Sequence, residues 1–168
     1  MEYNLIFQRF LEKAGTEIDY HVLAAGIIAY RKAQAGIIEP YPQVMPTLLK
    51  LREKGLKLAI LSDAPRLKAW LRLVELKLDS FFDIVVTFDD TGKTKPDSEP
   101  FEKVLEKLNL QPEDCVMVGD WPERDLVGAK KAGLHTIFAR YGYFGKDKPA
   151  DIADFEINSI SGLLKLLA

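Results

Sequence analysis

The sequence predicts an α/β protein whose parallel sheet is covered by helices on both faces. Three observations predict it. Short runs at 57–61, 84–88 and 115–118 are apolar throughout instead of alternating, as strands buried on both sides must be. Segments with helical periodicity separate each run from the next. Gly55 and Gly133 stand just before strand runs, where a helix ends on a left-handed glycine.

The elements follow in order. Residues 2–14 form a helix that gathers Leu5, Ile6, Phe10 and Leu11 on one face, and Gly15 stops it. A second apolar-rich helix spans 19–35, with Gly36 after it. Pro40, Pro42 and Pro46 then interrupt the chain and set the boundary between residues 1–39 and residues 40–168. A helix at 44–54, capped by Gly55, leads into the strand at 57–61. Pro65 stands where a helix's first turn tolerates proline, and that helix runs to Leu76. A strand at 84–88, a helix at 99–108, a strand at 115–118 and a helix at 122–132 come next. Strands at 136–139 and 155–157 and a helix at 159–167 close the pattern.

Composition narrows the function classes. The 168 residues suit one compact domain, and 48 % hydrophobic with 29 % charged residues is globular composition. A chain this long buries a core without disulfides or a structural metal. A formal charge of −2 gives no electrostatic case for nucleic acid or an anionic membrane. The longest apolar stretch, 22–30, falls short of the ~18 residues that a span needs. Glu2, Asn4 and Gln8 interrupt any apolar leader. Cys115 is the single cysteine, which excludes a disulfide framework and predicts a reducing, cytoplasmic setting.

In sheets of this kind chemistry gathers beyond the carboxyl ends of the strands. There the sequence places Ser62-Asp63, Asp89-Asp90 and Gly119-Asp120. Each has a plain structural use, since Ser62, Asp63 or Asp120 would cap the following helix. Together with Lys95, in the loop before the next helix, they make a set of hydroxyl, carboxylates and amine on one edge. Hard oxygen ligands hold a divalent cation, while lysine and a helix N-terminus neutralise a phosphate.

The same residues carry a resemblance. Leu58-Ala-Ile-Leu-Ser-Asp-Ala-Pro65 resembles the second motif of the haloacid dehalogenase-like hydrolases, with Ser62 at the strand end. Residues 93–101, KTKPDSEPF, are similar to the third, and residues 116–125, VMVGDWPERD, to the fourth. The likeness covers residues 40–168, and residues 1–39 resemble more weakly the later part of the helical cap of subclass I. It implies a Rossmann-like core and, as in most of the family, a magnesium-dependent phosphatase of small phosphorylated metabolites. Ser62 would hydrogen-bond a phosphate oxygen with help from the Asp63 N–H, and Lys95 would hold the phosphate. Asp120 would ligate Mg2+, with Asp125 either supporting it from behind or joining the ligands. Archaeal subclass members that act on small sugar or triose phosphates are similar in overall look.

The family's first motif, a strand ending in Asp-x-Asp-x-Thr whose first Asp is the nucleophile, is not in this sequence. Asp89-Asp90-Thr91 only imitates it, because its acids are adjacent and follow the second motif. The family's first strand lies at the centre of the sheet, so 57–61 and 115–118 would each expose an edge. Either those strands close on each other or something else fills the slot, which favours self-association. The expectation is a truncated phosphatase with little or no turnover as the chain stands. The alternative is a non-catalytic relative that keeps a phosphate and metal pocket for binding or assembly. A receiver domain also uses strand-end acids, a hydroxyl and a lysine, but in a different order. Gly92-Lys93-Thr94 lacks the first glycine of a P-loop, since Thr87 stands there. Cys115 and Trp70 are expected in the core, Trp121 beside the pocket, His21 and His135 away from any metal, and Arg31 and Lys32 on a solvated helix face.

Overall fold

A computed structural model describes residues 6–35, 38–145 and 152–167. The chain divides into two compact units, Met1–Glu39 and Pro40–Ala168. In the first, α1 (Ile6–Lys13) and α2 (Tyr20–Ala35) are joined by a turn in which Gly15 takes a left-handed φ of 67°. Asp19 opens α2 by accepting the N–H groups of His21 and Val22 at 2.8 and 3.2 Å, satisfying donors that a helix start leaves unpaired. Residues 2–5 of the predicted first helix, Leu5 among them, and Gly36 lie outside the described residues, as does the Arg31 side chain; Lys32 is exposed.

The second unit begins with α3 (Val44–Glu53), whose C-terminus turns through Gly55 at φ 80° as the sequence predicts. Strand β1 (Ala59–Leu61) follows, then α4 (Arg66–Glu75), β2 (Ile84–Val86), a short α5 (Phe88–Thr91) and α6 (Ser98–Leu108). Next come β3 (Val116–Gly119), a π-helical turn Pro122–Leu126, α7 (Val127–Lys131) and β4 (His135–Ala139). Strand β5 (Phe155–Ile157) and α8 (Leu163–Leu166) complete the unit.

All strand pairs are parallel. They form two sheets, β1–β2 and β3–β4–β5, and among the described residues β1 and β3 are not hydrogen-bonded to each other. The two strands flanking the slot therefore do not close on one another. Strand β4, paired on both sides, buries Thr136, Ile137, Phe138 and Ala139, whereas β1 is only half-buried, and β3 is too until Gly119. Two apolar clusters sit on the sheets. Val44, Leu48, Leu73 and Leu78 make one, and Leu51, Ile137, Ile157 and Leu163 make the other. Helix α3 contributes to both, and Leu58 and Ile160 pack against both, so side chains join what hydrogen bonds do not. Helix α6 packs on β1 and β2, and α7 packs on β4.

Four expectations need correction. The second strand ends at Val86, not at residue 88, so Asp89 and Asp90 lie in α5 and not at a strand end. The cause is local: Thr87 and Asp90 form a capping box that starts a helical turn at Phe88. Trp70 is 40 % exposed because α4 turns Ala69 and Leu73 inward instead. Pro65 precedes the first turn of α4 as its N-cap residue. Cys115 lies just before β3 and is half-buried, with burial pushing its thiol pKa up. No helix among the described residues is long and apolar enough to cross a membrane.

Candidate active site

The ends of β1 and β3 bring three of the five sequence-predicted residues, Asp63, Lys95 and Asp125, into one bonded cluster. Lys95 Nζ donates to the carbonyl of Leu61, the last residue of β1, at 3.1 Å. The same ammonium lies 2.8 Å from Asp125 Oδ1, with both side chains almost fully buried. The other Asp125 oxygen accepts the N–H of Trp121 at 3.1 Å, which ties the π-helical turn back onto the end of β3. Asp63 Oδ1 accepts the Lys95 N–H at 2.9 Å, and its Oδ2 pairs with the guanidinium of Arg124. Lys95 is thus fixed at backbone and side chain by residues that follow two different strands.

The capping reading fails for two of these acids. Asp63 does not cap α4, because the Arg66 N–H goes to Asp89 Oδ2 at 2.6 Å. Asp120 does not cap the turn at Pro122, which opens on Trp121 without a side-chain cap. Ser62 keeps a local role, its hydroxyl accepting the Ala64 N–H at 3.2 Å, while its own N–H continues the ladder to the Val86 carbonyl.

Asp120 joins the cluster through charge. Burial raises its pKa, the neighbouring Asp125 carboxylate raises it further, and Lys95 only partly offsets them. Among the described residues Asp120 forms no ion pair. Two glycines leave room for the acids. A Cβ on Gly119 would lie 2.4 Å from Asp125 Cβ, and one on Gly142 would lie 2.5 Å from Asp120 Oδ2. Tyr141, its pKa raised by burial and by the Asp120 charge, stacks edge-on with Tyr41 at 5.1 Å.

Sequence reasoning missed Arg124 and Gly142, and named Gly119 only as the neighbour of Asp120. Arg124 pairs with Asp63 and lies 5.5 Å from the Trp121 ring centroid, so it holds a strand-end acid and an exposed indole together. Its only signal was its place inside the Gly119–Asp125 segment. His21 and His135 are exposed and remote in sequence, and no group of three His, Cys, Asp or Glu residues among the described residues forms a metal cage. The donor set present, Asp120 and Asp125, suits a cation that takes one or two carboxylates and fills its remaining positions with water and phosphate oxygens.

Comparison with known proteins identifies the family. Residues 2–139 match the haloacid dehalogenase-like hydrolases. A glyceraldehyde 3-phosphate phosphatase of Methanopyrus kandleri is 34 % identical over 96 % of this chain and 70 % of its own length. The pyrophosphatase PpaX of Bacillus cereus is 35 % identical over 91 % of this chain and 73 % of its own. The crystal structure of a HAD phosphatase from Thermococcus onnurineus superimposes with a TM-score of 0.75 at 30 % identity, covering 96 % of this chain and 70 % of that one. These relatives are longer than the chain, which spans about seven tenths of each. On the family match and the 34 % identity together, the chain belongs to the haloacid dehalogenase-like hydrolases.

Proposed function

We propose that this chain carries the phosphate- and magnesium-binding part of a phosphatase for a small phosphorylated metabolite. The observation that supports it is the Asp63–Lys95–Asp125 network beside an unpaired Asp120 at the ends of β1 and β3. Lys95 is held where its ammonium can meet a phosphate oxygen, and the Ser62 hydroxyl and Asp63 N–H stand at the same strand end. Asp120 and Asp125 would hold Mg2+, whose charge would offset that of the bound phosphate. The excess negative charge at Asp120 suits such a cation.

The Asp nucleophile belongs to a first motif that this sequence does not contain. A strand carrying it would pair with the free edges of β1 and β3 in the complete protein. Residues 1–39 are then the later part of a subclass I cap, and the protein acts in the cytoplasm on a small phosphate ester, with glyceraldehyde 3-phosphate the first substrate to try because a 34 % identical relative bears that name. Pyrophosphate is the second.

The test is a paired assay of binding and turnover in Mg2+. The purified chain is expected to bind inorganic phosphate in titration calorimetry, to lose that binding with Lys95→Met, and to release no phosphate from either substrate. No phosphate binding would sink the site. Turnover abolished by Asp120→Asn would show that the chain needs no further nucleophile. Phosphate binding without turnover in the complete protein would favour the non-catalytic relative.

A further inference from the structure

The charges around Lys95 do not balance until Arg124 is counted. Asp63, Asp120 and Asp125 surround a single ammonium at the ends of β1 and β3. Asp125 matches that ammonium at 2.8 Å. Asp120 has no ion pair among the described residues and is left for a cation. Asp63 remains, its side chain 16 % exposed and its place in the chain directly after Ser62. An unbalanced carboxylate there would repel a phosphate held by Ser62, the Asp63 N–H and Lys95.

Arg124 supplies the missing charge. Its guanidinium pairs with Asp63 Oδ2, while Asp63 Oδ1 accepts the Lys95 N–H at 2.9 Å. The contact is not local, since Asp63 follows β1 by two residues and Arg124 lies in the π-helical turn after β3. Arg124 and Asp125 are neighbours in sequence, and the turn delivers both to the same lysine. Asp125 meets its ammonium, and Arg124 meets the acid that holds its N–H. The Trp121 ring, centred 5.5 Å from Arg124 Cζ, gives the guanidinium a second attachment, so a side chain 39 % exposed is restrained at the site. We propose that Arg124 is a positioning residue of the phosphate site, acting through Asp63 by cancelling its charge. Phosphate then meets the Lys95 ammonium without a repelling acid beside it. The proposal rests on the phosphatase reading and adds to it the residue on which phosphate affinity depends.

Titration calorimetry of the purified chain with inorganic phosphate in Mg2+ tests it. Arg124→Ala is expected to raise the phosphate dissociation constant roughly tenfold, and Arg124→Lys, which keeps the charge, by less. In an Asp63→Asn background there is no charge to cancel, and Arg124→Ala should change the constant by less than about threefold. The amide oxygen in that background still accepts a hydrogen bond from the guanidinium. A merely structural tether would therefore lose as much affinity in both backgrounds, and so would a direct bond from Arg124 to phosphate. Equal losses would overturn the proposal. Phosphate binding that is indifferent to Arg124→Ala in the parent would overturn it too, while leaving the site itself standing. A parent chain that binds no phosphate would remove the site and this role together. Circular dichroism melting establishes that each variant is folded, and Arg124→Gln carries the same comparison if Arg124→Ala is not.

Discussion

Lys95 shows how a single side chain can be both a structural and a functional group. Its ammonium is almost fully buried, and it is tolerated there because Asp125 Oδ1 at 2.8 Å and the Leu61 carbonyl at 3.1 Å replace the water it lost. Removing one member of such a pair strands the other charge in a low-dielectric site. Lys95→Met is therefore expected to cost roughly 3–5 kcal/mol in urea unfolding, and Lys95→Met with Asp125→Leu less than the sum of the two single changes. Gly119→Ala attacks the same pair from the other side. Its Cβ would meet Asp125 Cβ at 2.4 Å, so the carboxylate must move and overpacking should cost about 1–3 kcal/mol. Phosphate affinity measured by calorimetry should fall in both variants if the pair positions the ammonium. Lys95, Asp120 and Asp125 were legible in the sequence because each sits in an ordered motif. Arg124 was not, because its partner Asp63 is 61 residues away and no local pattern announces that contact.

At the scale of elements, acids that read as chemistry in the sequence turn out to hold joints. Asp90 accepts the N–H and the hydroxyl of Thr87, each at 2.8 Å, and pairs with Lys107 at 2.8 Å and Arg66 at 3.3 Å. Burial pulls its pKa up, but the bonds from Lys107 and Thr87 outweigh it and hold the carboxyl well below the usual range. One side chain thus joins α4, α5 and α6 at the end of β2. Asp154 does the same for the last strand. It accepts the N–H and hydroxyl of the fully buried Thr136 at 2.8 Å each, and Lys130 lies 2.9 Å away. Those bonds, Lys130 first and Thr136 next, hold its pKa at about 2, below an ordinary 3.8. A pKa depressed by folding means stability that is complete above the unfolded value and lost as pH falls through the folded one. The contribution of Asp154 should therefore fade between about pH 4 and pH 2. Asp154→Ala should lower stability at pH 7 by about 1–3 kcal/mol, since Thr136 is left unsatisfied, and should flatten the acid limb of a stability–pH profile. Element existence and order were legible from apolar runs and stop signals. The end of β2 was not, because Phe88 continues an apolar run while the Thr87–Asp90 capping box bends the backbone away from it.

At the scale of the whole second unit, the question is how two sheets behave as one layer without hydrogen bonds between them. The parallel class was legible, since uniformly apolar strands between helices allow little else. What the chain does with the slot between β1 and β3 was not, because side-chain patterns do not report which backbone edges pair. The answer lies in α3, Leu58 and Ile160, which pack against both apolar clusters. Side-chain burial is non-directional, so it can hold the two sheets together, but among the described residues it leaves the outward amides of β1 and β3 without ladder partners. Strand β4 has ladders on both sides and is buried from Thr136 to Ala139. Opening it should require nearly global unfolding, whereas β1 and β3 can lose protection through smaller, local fluctuations. Native-state hydrogen exchange should thus rank amides 137–139 slowest, with 59–61 and 116–118 faster. Equal protection in all three would mean that the edges of β1 and β3 are covered in solution. Such protection in a dimer would identify a second copy at the edges, and in a monomer it would mean that β1 and β3 have closed on each other.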